Sequence, residues 1–151
     1  MAETRLWFVT DLHGSDICFR KFLNAVRTPK RPDVLIVGGD ITGKMVVPLI
    51  EERKDVYKVV IGKKSLHLSA DQCQGFERLL ADRGAYGFRC DEEELKKYSF
   101  NDAYRASVVR DLHLARLKDW MSLADARMKG SSRRVFINPA NDDPYYVDEL
   151  I

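Results

Sequence analysis

Several features that would place a chain quickly are missing from these 151 residues. No apolar run approaches the roughly 20 residues of a membrane-spanning helix. The opening MAETRLWFVTDLHGS enters a strand-like pattern at once, with no basic start and apolar stretch of a secretory leader. A cytoplasmic location is therefore expected. Cysteine is sparse and uneven: Cys18, Cys73 and Cys90 lack metal-like spacing and read as free thiols of a reducing compartment. A net charge of +2 and a pI of about 8.4 supply no concentrated basic track for nucleic acid. Histidine occurs only at positions 13, 67 and 113, and there is no internal repeat or low-complexity tract. What is present, 45% apolar and 32% charged residues, is enough for one globular domain with its own core.

Along the chain, Leu6–Thr10 is a continuous apolar run that predicts a buried strand. Ser15 suits the cap of a helix over 16–26. DVLIVGGD predicts a second buried strand, ending in Gly-Gly-Asp, and a short helix is expected over about 46–53 with Pro48 in its first turn. The first fifty residues thus read as strand, helix, strand, helix, an α/β unit with a parallel strand pair. The pattern then changes. VYKVVIGKKSLHL predicts a hairpin turning at Gly62-Lys63, with glycine at the first position of a type II′ turn. SADQCQGFERLLADRG carries the capping pair Ser69 and Gln72 and a glycine stop at Gly84. DEEELKKY has the acidic start and basic end that a helix dipole favours. A long helix follows over about 100–129, capped by Ser99 and stopped by Gly130, with Val109, Leu117, Trp120, Ala124 and Met128 on its apolar face. VFIN is a third short strand. The expected organisation is one domain whose core, residues 1–53 and 133–151, is interrupted by an insertion over about 54–132.

Each core strand ends in residues that bind cations. After the first come Asp11 and His13, which share a face if the chain stays extended through Leu12. A carboxylate beside an imidazole can hold a divalent ion. After the second comes Asp40, and after the third NPANDD, with Asn141. In an open α/β sheet the site lies beyond the carboxyl ends of the strands. If the three strands are parallel neighbours, Asp11, His13, Asp40 and Asn141 converge. Singly each motif is an ordinary turn; their order in one chain is the signal.

That order, D-L-H, then G-G-D, then N-P-A-N-D-D, resembles the first motifs of the calcineurin-like metallophosphoesterase superfamily, in particular a prokaryotic branch with N-D-D in place of G-N-H. The resemblance implies an α/β fold, part of a four-layer α/β/β/α sandwich, with the hairpin and helices inserted as a cap over the site. The chain would supply about the first half of that sandwich, with the remaining ligands beyond Ile151. It further implies two divalent ions, Mn²⁺, Fe²⁺ or Zn²⁺, with Asp11 and His13 on the first, Asp40 bridging and Asn141 on the second. A metal-bridged hydroxide would then hydrolyse a phosphodiester or phosphomonoester substrate.

Three departures stand against the pattern. Ala140 occupies the place of the motif glycine, so a left-handed backbone there would be strained. Asp142 stands where the family has a catalytic histidine, and an unperturbed carboxyl is a poor acid at neutral pH. The later histidine motifs have no counterpart. These favour an alternative, a non-catalytic metal-binding or scaffolding module. Asp143 is expected to shape the Asn141 loop, and Lys44 is a candidate contact for an anionic substrate, as are Arg133 and Arg134. Trp120 and Met121 offer a homo-oligomer surface as the alternative role of the insertion. His67 and His113 read as surface and helix-packing residues, and Glu92–Glu94 as a helix first turn.

Overall fold

The computed structural model describes residues 3–29 and 31–151. Met1 and Ala2, at the start of the opening stretch, and Lys30, in the polar TPKRP segment, lie outside them. In chain order the elements are β1 (Leu6–Val9), α1 (Asp16–Asn24), β2 (Val34–Gly38), β3 (Met45–Arg53), β4 (Val56–Ile61), β5 (Lys64–Ser69), α2 (Ala70–Asp82), β6 (Ala85–Cys90), α3 (Glu92–Phe100), α4 (Asp102–Met128) and β7 (Arg134–Asn138). The result is a mixed α/β structure with two sheets and four α-helices.

The first sheet has order β1-β2-β7, and both pairings are parallel. The three strands expected to be neighbours are neighbours, although β7 returns from nearly a hundred residues away. Trp7, Leu35 and Val135 share one register row, and Val9, Val37 and Ile137 another. This face packs on Phe19 and Leu23 of α1 and on Leu117, Trp120 and Ala124 of α4. Phe19 and Trp120 stack with ring centroids 4.2 Å apart. The opposite face is open: Leu6, Phe8 and Phe136 are exposed. The expectation that Leu6–Thr10 would be wholly buried is therefore corrected, because β1 is an edge strand packed on one face only. Phe8 lies across Gly38, where a Cβ would sit 2.2 Å from its ring.

The second sheet, in order β5-β4-β3-β6, lies between helices. Leu49, Tyr57 and Val59 pack with Cys73 and Phe76 of α2. Val46, Ile50, Phe88 and Cys90 pack with Leu95 and Tyr98 of α3 and Val108 and Leu112 of α4. The helix expected over about 46–53 is instead the strand β3. Its Val-Val-Pro-Leu-Ile run lies against β6, which pairs with it in parallel. Pro48 lies in the half of β3 not yet joined by β4, an edge-like place where a missing N–H is tolerated. The hairpin turns as expected at Gly62, the one residue of that turn with positive φ. The Ser69–Gln72 capping box forms and Gly84 is left-handed.

Helix α4 joins the two halves. Its 27 residues span about 40 Å, reaching from Val108 in the second-sheet cluster to Ala124 in the first. Its cap is Asn101, whose Oδ1 accepts from the Tyr104 N–H, rather than Ser99, which ends α3 and donates to the Leu95 carbonyl. Val108, not Val109, is the buried valine.

Candidate metal centre

Beyond the carboxyl ends of β1 and β2 the chain leaves strand geometry without leaving the ladder. The Asp11 N–H donates to the Gly39 carbonyl (3.2 Å), that of His13 to Asp40 (2.8 Å) and that of Gly14 to Ile41 (2.7 Å). Within this paired stretch Asp11, His13 and Asp40 have φ of 59°, 43° and 50°. Non-glycine residues so held cost on the order of 1–3 kcal/mol each and persist where the surroundings enforce them. The extended path expected through Leu12 is thus corrected: two left-handed residues flank a buried Leu12 and still deliver Asp11 and His13 to one place. His13 Nε2 lies 3.7 Å from Asp11 Oδ1.

Asp40 completes the group. Ligand atoms of Asp11, His13 and Asp40 all lie within 4.8 Å of one another. Asp40 Oδ1 is, among the described residues, the one buried side-chain polar atom without a hydrogen-bond partner. A buried carboxylate oxygen left unpaired is costly unless a cation takes it. Two carboxylates and an imidazole are a donor set that suits Mn²⁺, Fe²⁺ or Zn²⁺. These residues fit a divalent ion.

Asp143 ties the third strand end to this site. Its Oδ1 accepts from the N–H groups of Ile41 (3.0 Å) and Thr42 (2.9 Å) and from the Thr42 hydroxyl (2.8 Å), and its Oδ2 from the Ala140 N–H (3.0 Å). The loop carrying Asn141 is thereby held against the loop carrying Asp40. Asn141 itself is exposed. Ala140 is not among the left-handed residues; the left-handed position opposite it is Gly39, where a Cβ would sit 2.2 Å from the Ala140 Cβ.

Asp142 is exposed and pairs with Lys44, Nζ to Oδ2 at 2.5 Å. That hydrogen bond holds its carboxyl below the usual carboxylate range, so it is ionised at neutral pH. The burial that would raise its pKa and make it an acid is not found. Lys44 is correspondingly raised by the same bond, with Asp40 contributing.

Behind these loops the stretch from Gly84 into β6 meets the loops after β1 and β2 through three glycines. A Cβ on Gly43 would sit 2.0 Å from the Gly84 carbonyl oxygen, one on Gly84 2.1 Å from that of His13, and one on Gly14 2.8 Å from the Tyr86 hydroxyl. Arg116 of α4 donates to the Gly14 and Ala85 carbonyls, with its guanidinium 4.4 Å from the Tyr86 ring centre. Tyr86 accepts from the Gly43 N–H at 3.1 Å. His113 Nε2 donates to the Gly43 carbonyl (2.9 Å), which fixes the tautomer, and Nδ1 accepts from the Tyr146 hydroxyl (2.8 Å). Burial pushes the His113 pKa down, keeping the ring neutral. Tyr86, His113 and Arg116 thus brace the backbone that follows Asp40 and His13. Sequence reasoning did not find Tyr86 and Arg116, because no local pattern marks a side chain that bonds backbone groups about forty or a hundred residues away.

The other candidates lie apart from the cluster. His67 is exposed and 3.1 Å from Glu52. Arg133 donates to the Pro32 carbonyl, and Glu94 returns the cap of α3.

A cluster of two carboxylates and an imidazole that could hold a metal ion, at the carboxyl ends of parallel strands, defines the class, an α/β protein with a candidate metal site. The chain matches the family model of calcineurin-like phosphoesterases over residues 4–141, and it belongs to that family. The family's general chemistry is metal-dependent hydrolysis of phosphoesters. No curated protein and no solved structure matches the chain. No described helix is long and apolar enough to cross a membrane.

Proposed function

We propose that this chain is a metal-dependent phosphoesterase with a two-metal site formed by Asp11, His13, Asp40 and Asn141. Asp11 and His13 serve one ion, Asp40 both, and Asn141 the second through its amide oxygen. The observation that carries this reading is the unpartnered, buried Asp40 Oδ1 inside a cluster whose three members are all held in left-handed backbone. When bound, divalent ions supply Lewis-acid charge to the phosphoryl group and activate the attacking water. The protein's own part is to hold the ligands in place before substrate arrives: the loop ladder fixes Asp11, His13 and Asp40, and Asp143 fixes the Asn141 loop. Mn²⁺, with Fe²⁺ or Zn²⁺ as alternatives, and the reducing cytoplasm suited to three unpaired cysteines complete the proposal.

A second reading, a metal-binding module without turnover, is favoured by the engagement of Asp142 with Lys44, which leaves no acid in the place of the family histidine. One experiment separates the two. Hydrolysis of p-nitrophenyl phosphate and its bis ester is measured with Mn²⁺, for the chain and for Asp40→Asn, against a chelated control. Metal-dependent turnover lost in Asp40→Asn supports the enzyme. Mn²⁺ binding lost in the variant with no turnover in either supports the module.

A further inference from the structure

We infer that Lys44 is the phosphate-recognition residue of this site, held in place by Asp142, and that the pair selects phosphomonoesters over phosphodiesters. The inference rests on the proposed phosphoesterase reading and adds to it a substrate class. Lys44 stands four residues after Asp40 and Asp142 one after Asn141, so their ion pair joins the two ligand loops at the edge of the cluster. The two loops are already tied together by Asp143, whose carboxylate accepts from the Ile41 and Ala140 N–H groups. The Lys44 side chain is 70% exposed, so a ligand reaches it from solvent. The backbone before it is anchored, since Gly43 donates its N–H to Tyr86 and accepts at its carbonyl from His113.

An ammonium has three N–H donors, and Asp142 uses one. Two remain for an oxygen of the phosphoryl group. The role is electrostatic rather than acid catalysis, because the carboxylate that orients the ammonium also stabilises its charged form. A terminal phosphomonoester carries two negative charges near neutral pH and a diester one. A fixed cation beside the metal ligands therefore favours the monoester, and it does so in the place where the family histidine is absent. Asp142 is a positioning residue that acts through Lys44.

The test compares the chain with Lys44→Met, Lys44→Arg and Asp142→Asn. Calorimetry reads Mn²⁺ binding, then orthophosphate binding to the Mn²⁺-loaded chain, and kinetics read kcat/KM for p-nitrophenyl phosphate and its bis ester. Lys44→Met is expected to leave Mn²⁺ affinity within about threefold and to weaken orthophosphate about tenfold to a hundredfold, the range of a charge-assisted hydrogen bond. It lowers the monoester-to-diester ratio of kcat/KM by about tenfold. Lys44→Arg recovers most of both, and Asp142→Asn falls between. Orthophosphate bound equally by the chain and Lys44→Met, or by neither, overturns the assignment, as does an unchanged ester ratio. Failure of the parent reading looks different: neither ester would be turned over with Mn²⁺, or the turnover would survive in Asp40→Asn, while orthophosphate binding to the chain and to Lys44→Met still decides the Lys44 assignment.

Discussion

Asp143→Asn separates a pinned site from a loose one. The wild-type carboxylate accepts from four donor groups, three at Oδ1 and the Ala140 N–H at Oδ2, with the Ile41 N–H shared between the two oxygens, and the donors lie on two loops about a hundred residues apart in sequence. The amide is the same size but keeps one acceptor oxygen. With that oxygen in the Oδ1 position, its NH₂ group faces the Ala140 N–H, donor against donor. One charge-assisted bond is lost and three become neutral, and a charged bond is worth about 1 kcal/mol more than a neutral one. Allowing for incomplete additivity, the cost is about 3 kcal/mol. Asp143→Ala, which also orphans the Ile41 and Thr42 donors, costs about 4–5 kcal/mol. Urea unfolding of the metal-free chain reads this directly, and in a scan 3 kcal/mol corresponds to about 6–12 °C at this size. Mn²⁺ affinity should fall about tenfold to a hundredfold, since the residues that orient ligands are worth that much. Asp143→Asn within about 0.5 kcal/mol of wild type would refute the reasoning, because the two loops would then be held by something else.

Gly84→Ala places a methyl group 2.1 Å from the His13 carbonyl oxygen at a φ of +79°; a loss of at least about 3 kcal/mol is expected by denaturant unfolding, and a loss under 1 kcal/mol would show that the glycine junction yields. Arg116→Ala should cost about 2–4 kcal/mol, with Arg116→Lys recovering less than half, because one ammonium cannot serve carbonyls on two elements as the guanidinium fork does; full recovery in the lysine variant would contradict this. His113 is neutral when folded, with its pKa lowered from 6.5. The unfolded chain then binds the extra proton, so this stability is present above the ordinary histidine value and is lost as pH falls below it. Chemical denaturation between pH 7.5 and 5.5 should show a steeper acid loss in wild type than in His113→Gln, and equal slopes would remove His113 from the account.

Much of the candidate cluster was legible in the sequence because cation-type side chains at strand ends are local signals: Asp11 and His13 two apart, Asp40 after Gly-Gly. The hairpin at Gly62 and the caps at Ser15, Ser69 and Gly84 were readable for the same reason. What was not readable depends on partners distant in sequence. The segment 45–53 looks helical by spacing, but β6 lies beside it, and tertiary pairing overrides a weak propensity. AYGFRC became a strand unannounced, being too short and mixed to show a period. Asp11 and His13 were expected to meet through extended backbone; they meet through left-handed backbone, a conformation that short polar residues adopt more readily than most but that no residue pattern announces. The bracing by Tyr86, Arg116 and His113 arises from α4 crossing both sheets, which only the assembled fold reveals.

On the proposed reading, Asp40 is held in left-handed backbone with Oδ1 unpartnered for a cation. Mn²⁺ titration and urea unfolding of the chain and of Asp40→Asn test it together. Asparagine tolerates the same backbone and removes the buried charge, so the metal-free variant should be as stable as wild type or up to about 1 kcal/mol more stable. Its Mn²⁺ binding should nonetheless fall by at least about a hundredfold, and metal-dependent stabilisation should vanish with it. An Asp40→Asn chain that binds Mn²⁺ as wild type does, or that is markedly destabilised without metal, would contradict the account.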